Sequence, residues 1–136
     1  MAYSGPVADI APIQGELQAQ IMTAVWRLGG GTVEQVRSEL PTRYRSAYNT
    51  VQTVLNRLAE RGLLYRQREG RGLLYEPRIS EAEYLSGTIR HTLAGASSDA
   101  RQAALASIIG GMEPGELSEL RHLAAQASKR RAKRRP

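Results

Sequence analysis

The chain has 136 residues and no cysteine, which fits one domain or a small domain with an added association module, and excludes disulfides and thiolate metal sites. No run approaches the roughly 18 apolar residues a membrane span needs, and the N-terminus lacks a signal-peptide pattern, so a cytoplasmic protein without membrane insertion is expected. The net charge of +6 is matched by the six basic groups in the last eight residues, yet the neutral remainder is uneven: residues 37–78 carry nine Arg against four acids, while both flanks are net acidic. Positive charge concentrated in the middle of a chain is the footprint of phosphate contacts.

Residues 1–12 lack periodicity, contain two prolines and are expected to form a flexible arm. A first helix is predicted over about residues 14–28, where Leu17, Ile21, Val25 and Leu28 share a face with Ala24 and Trp26 beside it. Trp26 reads as a core anchor. Gly29, Gly30 and Gly31 end this helix in a tight turn; no strand precedes them and no Lys-Ser/Thr follows, so a phosphate-binding loop is disfavoured. Thr32 and Gln35 have capping-box spacing and open a short helix with Val33, Val36 and Leu40 inward, stopped by Pro41. The connector T-R-Y-R at 42–45 then delivers Arg43 and Arg45, both suited to phosphate clamping.

The stretch from Ser46 to Arg61 is predicted to be a helix, with Ser46 as N-cap and Gly62 as the residue just past its end. Ala47, Val51, Val54, Leu55 and Leu58 fall within about 100° of arc and form the inward stripe. Asn49, Gln52, Thr53 and Asn56 point the other way. Amides and hydroxyls stand where a plain solvent-facing helix would carry Glu and Lys. Such groups hydrogen-bond base edges without a charge to desolvate, and the helix reads as the recognition helix of a DNA-binding domain. Ser46 and Arg57 complete its set of candidate DNA contacts.

After Gly62 the pattern turns extended, with strands at Leu64–Glu69 and Leu73–Glu76 joined by G-R-G at 70–72. Leu64, Arg66 and Arg68 share one side of the first strand, and Arg71 occupies the turn. Helix, short helix, recognition helix and hairpin in that order make a winged helix-turn-helix. Ser80 and Glu83 form a second capping box, followed by a stripe of Tyr84, Leu85, Ile89 and Leu93. A segment at about 97–109 offers Ala104, Leu105, Ile108 and Ile109, and another at about 115–128 offers Leu117, Leu120, Leu123, Ala124 and Ala127. These helices are too few to close a core alone, and unsatisfied apolar faces usually pack on a copy of themselves, so a homodimer is expected. The alternative is that they fold back on the winged helix as one monomeric domain. The fold class is therefore mostly α (α+β). A flexible arm at 1–12, a winged helix-turn-helix DNA-binding domain at 13–78, a helical dimerisation module at 79–128 and a disordered basic tail at 129–136 are expected.

The segments G-E-L-Q-A-Q-I-M-T-A-V-W (15–26), T-V-E-Q-V (32–36), A-Y-N-T-V-Q-T-V-L-N-R-L-A-E-R-G-L (47–63) and G-R-G-L-L-Y-E-P (70–77) resemble the penicillinase-repressor family. That family includes the β-lactamase and methicillin-resistance repressors and their copper-responsive relatives. The resemblance covers about residues 13–85 closely. It implies a dimeric repressor on a palindromic double-stranded DNA operator, with recognition positions falling on Asn49, Thr50, Gln52 and Thr53. Arg68 and Arg71 of the wing would reach the DNA backbone or minor groove. Copper-responsive members carry a C-terminal cysteine cluster, and this chain has no cysteine. In β-lactam-responsive members a membrane sensor triggers cleavage at an Asn-Phe bond; the aligned pair here is about Ser107-Ile108, and the chain has no Phe.

Three functional classes are open to such a chain. A sequence-specific repressor accounts for the uncharged outer face of the 46–61 helix. A non-specific architectural nucleic-acid binder would rely on the basic tail, and Lys or Arg on that face would suit it better. An enzyme is disfavoured: His91 and His122 lack metal-ligand spacing, Glu113, Glu116 and Glu119 read as a solvated face, and no nucleophile motif is present. No cofactor is expected. Proteolysis near residue 107, a small ligand and a partner protein all stand as routes of regulation.

Overall fold

The computed structural model describes residues 9–134, with the backbone alone for Arg134. The elements follow in the order α1 (Glu16–Leu28), β1 (Gly31–Thr32), α2 (Val33–Glu39), a 3-10 turn (Thr42–Tyr44), α3 (Tyr48–Glu60), β2 (Leu64–Glu69), β3 (Gly72–Pro77), α4 (Glu81–Ala94), α5 (Ser98–Gly110) and α6 (Pro114–Arg134). The chain divides into two units, one ending at Ala94 and one beginning at Gly95. Among the described residues no helix is long and apolar enough to cross a membrane.

In the first unit, α1, α2 and α3 close around one core. Ile21, Met22, Ala24 and Val25 come from α1, Val33, Val36 and Leu40 from α2 and the residue beyond it, and Val51, Val54, Leu55 and Leu58 from α3. Leu63, Leu64 and Tyr75 add the sheet side. Two expected inward residues lie elsewhere: Leu28 is 39% exposed at the end of α1, and Ala47 is exposed. The capping boxes form as expected, with Gln35 N–H donating to Thr32 Oγ1 at 3.2 Å and Thr32 N–H to Gln35 Oε1 at 2.9 Å. The same reciprocal pair joins Ser80 and Glu83, both bonds at 3.0 Å. Each satisfies donors that the first helical turn leaves orphaned.

The sheet is antiparallel with order β1-β3-β2. β1 has no sequence signature, being two residues long. The triple glycine makes it possible: Gly29 has φ 76 and closes α1, and Gly30 has φ 133. A Cβ on Gly30 would lie 3.1 Å from the Tyr75 carbonyl oxygen, so the backbone approach to β3 needs glycine. Gly31 then pairs with Tyr75 and Thr32 with Leu74. On the other side Glu69 pairs with Gly72, leaving Gly70 and Arg71 as a two-residue turn. Only Gly70 takes positive φ, 60°, which is the demand of a II′ hairpin.

Three expectations about the partition are corrected. Residues 9–12 are tied down rather than free: Ile10 N–H donates to the Gly87 carbonyl at 3.0 Å, and Arg61 Nη2 to the Ala11 carbonyl at 2.6 Å. The remainder of that arm, residues 1–8, lies outside the described residues. Residues 79–94 stay with the winged helix, because Tyr84 stacks on Trp26 with centroids 5.3 Å apart and accepts the Ile13 N–H at 2.8 Å. Trp26 Nε1 reaches the Ile79 carbonyl at 3.0 Å, so its indole anchors α4 rather than filling the centre of the core. Over residues 129–134 the basic tail is helix, the continuation of α6. Ala, Lys and Arg are good helix formers, extension costs less than nucleation, and cations favour a helix C-terminus.

The second unit consists of α5 and α6. Ser97 caps α5, its Oγ accepting the Ala100 N–H at 3.2 Å. Among the described residues neither helix contains a buried one.

Candidate nucleic-acid interface

α3 begins one residue or two later than its sequence suggests. Ala47 is the N-cap and offers no side-chain acceptor. Ser46, expected there, instead donates its hydroxyl to the Tyr44 carbonyl at 3.3 Å, while its own carbonyl accepts Arg37 Nε at 2.7 Å. The 3-10 turn and this arginine hold the entry strand extended past Ser46. The C-terminal end follows the sequence. Leu63 N–H bonds to the Leu58 carbonyl and Gly62 N–H to the Ala59 carbonyl, both at 3.0 Å, with Gly62 at φ 81. That is a Schellman closure.

On the outer surface of α3, Asn49, Thr50, Thr53 and Arg57 are exposed, and Gln52 and Asn56 are half-buried. The first four therefore present a band of hydrogen-bonding groups to solvent. Thr53 donates its hydroxyl back to the Asn49 carbonyl at 2.9 Å, which spends its one donor and leaves the oxygen's two lone pairs as acceptors. Asn56 is committed inside the protein: its Oδ1 accepts Tyr75 OH at 2.6 Å and Arg66 Nη1 at 3.0 Å. Burial pushes the Tyr75 phenol above its ordinary pKa, against the opposing charge of Arg66, so it remains a neutral donor.

The arginines divide into two groups. Arg45 Nη2 donates to the Ser38 and Leu40 carbonyls, at 3.1 and 2.9 Å, and so closes the end of α2. Arg43 lies over the Tyr44 ring at 4.6 Å and donates to its hydroxyl, which raises the guanidinium's pKa. Arg57, Arg68 and Arg71 are exposed, and their side chains make no hydrogen bond or ion pair among the described residues. These three have all their donors available for phosphate.

Two exposed residues escaped the sequence reading of the site. Tyr48, 48% exposed in the first turn of α3, sits beside the amide band. Arg66 is drawn to α3 by Asn56. Its position on the same strand face as Arg68 was the available signal, but alternation alone does not say which face meets the helix.

A helix-turn-helix whose second helix carries uncharged hydrogen-bonding groups outward, followed by an arginine-bearing hairpin, defines a winged-helix DNA-binding protein. The family model described as penicillinase repressor matches residues 14–126. The transcriptional regulator BlaI of Mycobacterium tuberculosis is 36% identical over 114 residues, spanning 82% of this chain and 83% of that protein. The penicillinase repressor of Bacillus licheniformis is 30% identical over 74 residues, 54% of this chain and 58% of its own. Among solved structures, the DNA-binding domain of the repressor BlaI is 29% identical with TM-score 0.47, covering 56% of this chain and 93% of that one. The Bacillus licheniformis BlaI monomeric form in complex with the blaP half-operator is likewise 29% identical, with TM-score 0.46 and the same coverage, 56% and 93%. The chain belongs to the penicillinase repressor family, whose members are transcriptional regulators, and it is a DNA-binding transcriptional repressor.

Proposed function

We propose that the protein acts as a homodimer on a palindromic operator, with the α3 helix of each copy in the major groove. The observation that carries this reading is the exposed band of Asn49, Thr50 and Thr53, with Gln52 beside it, bordered by the unpaired cations Arg57, Arg68 and Arg71. Amide-to-adenine pairing discriminates by roughly 1–3 kcal/mol per contact, and the arginines supply sequence-independent attraction to phosphate. Two-fold symmetry places the half-sites about one helical turn, ~34–36 Å, apart. Occupancy then blocks the promoter.

Association through the helical segments is supported by what they leave exposed. Leu85 and Ile89 on α4, Leu105, Ile108 and Ile109 on α5, and Leu120 and Leu123 on α6 are all exposed, while Leu93 and Leu117 are half-buried. A second copy covering these faces would account for them. The name penicillinase repressor supports resistance genes as the regulated set, and a repressor bound to its operator would act at the nucleoid in the cytoplasm. Release by a membrane sensor-protease is one route, supported by the position of Ser107 and Ile108 in the last turn of α5, where Ile108 is 59% exposed. Intact mass after induction separates cleavage from ligand or partner control.

The decisive experiment is selection of binding sites from random duplex DNA at about 150 mM salt, where non-specific attraction is damped. An enriched inverted repeat, lost or degraded at one base pair for Gln52→Ala, is the expected result. Binding that tracks only duplex length and salt would instead favour the architectural reading.

A further inference from the structure

Asn56 lies on α3 one turn beyond Gln52 and Thr53, so its position suggests a fourth reader of bases. Its hydrogen bonds argue otherwise. Reading adenine bidentately needs the amide oxygen free to accept from the base and the amide nitrogen free to donate. The oxygen has two lone pairs, and Tyr75 OH at 2.6 Å and Arg66 Nη1 at 3.0 Å occupy both. Arg66 has only donors, so the atom facing it must be the amide oxygen.

Arg66 and Tyr75 are direct cross-strand partners in the β2–β3 ladder. Their side chains leave the same face of the hairpin and converge on one atom of α3. Tyr75 is fully buried, which fixes one end of this arrangement, whereas Arg66 is exposed. One of the five guanidinium N–H groups is spent on Asn56, and no acid pairs with Arg66 among the described residues.

We propose that Asn56 is a positioning residue, anchored by Tyr75, that aims Arg66 at a DNA phosphate beside the wing, making Arg66 a DNA contact in its own right. The role rests on the operator-reading function proposed above. Without Asn56 the arginine keeps its charge but loses its orientation, and four long side-chain rotors must be ordered on binding.

The test is a double-mutant cycle on the full-length protein with a selected operator, measuring Kd across a salt series for Asn56→Ala, Arg66→Ala and the pair. Arg66→Ala is expected to weaken binding roughly tenfold and to reduce the salt slope by on the order of one per half-site. Asn56→Ala should weaken binding in the same direction, and the double variant should be no worse than Arg66→Ala alone. The selected motif should not change in any of them. Additive losses, or a motif that loses one base preference in Asn56→Ala at an unchanged salt slope, would make Asn56 a base reader and overturn the proposal. If Asn56→Ala melts below the assay temperature, Tyr75→Phe takes its place, since it removes one anchor and keeps the ring. An affinity loss that vanishes on the Arg66→Ala background supports positioning; a loss that persists, or no loss, overturns it. If the unmodified protein yields no motif, the operator reading fails by itself, and the same cycle on a random duplex still decides whether Asn56 acts through Arg66.

Discussion

The unit ending at Ala94 and the unit beginning at Gly95 are both rich in helices with apolar stripes, yet they use those stripes differently. Every residue of the apolar core lies between Ile21 and Tyr75. From Gly95 onward no described residue is buried, and Ile108, Ile109, Leu120 and Leu123 stand exposed. The difference is one of supply. In the first unit the stripes of α1, α2 and α3 meet one another and a three-stranded sheet, so each of these finds a partner within its own chain, while α4 leaves Leu85 and Ile89 exposed. Two helices alone cannot enclose a third layer, and their apolar residues remain available to another surface.

The largest expected effect comes from separating the units. A fragment ending at Ala94 should unfold cooperatively even when dilute, because its core is complete. A fragment of residues 95–134 should gain helicity as concentration rises, chiefly in α5, since isolated helices shorter than ~12–15 residues are marginal and α5 has 13, whereas α6 with 21 keeps part of its helix when dilute. Circular dichroism over a dilution series reads both. A concentration-independent cooperative melt of the second fragment would break the contrast.

Single substitutions sharpen the same contrast. Leu55→Ala, at a fully buried site on α3, should cost about 2–5 kcal/mol in urea unfolding. Ile108→Ala should change the stability of the dissociated chain by less than about 0.5 kcal/mol and lower its association constant instead. Thr32→Ala, which removes a formed capping box, should cost about 1 kcal/mol in the first unit.

The smallest effect is a pH dependence carried by Tyr75. Its phenol is raised by burial, so the folded state holds that proton more tightly than the unfolded chain does. The corresponding stability is fully present below the unfolded value of about 10 and is lost as pH rises through the folded one. Urea midpoints should therefore show no pH dependence from this group between pH 7 and 9. They should decline above pH ~10, less steeply in Tyr75→Phe.

Local chemistry made much of this molecule legible in its sequence. The 3.6-residue spacing of Val51, Val54, Leu55 and Leu58 set the inward face of α3, and the Thr32–Gln35 and Ser80–Glu83 pairs announced two helix starts. Gly62 announced a helix end. Each depends on residues within a few positions of one another, so the sequence carries it directly. What only the tertiary structure decided depends on residues far apart in the chain. The two-residue β1 exists because Gly30 lets the backbone approach Tyr75. Ser46 lost the N-cap because Arg37 holds its carbonyl. The side chain of Asn56, outward by periodicity, was claimed by Arg66 and Tyr75, which approach it from the hairpin. Periodicity says which way a side chain leaves its helix; only the fold says what it meets there.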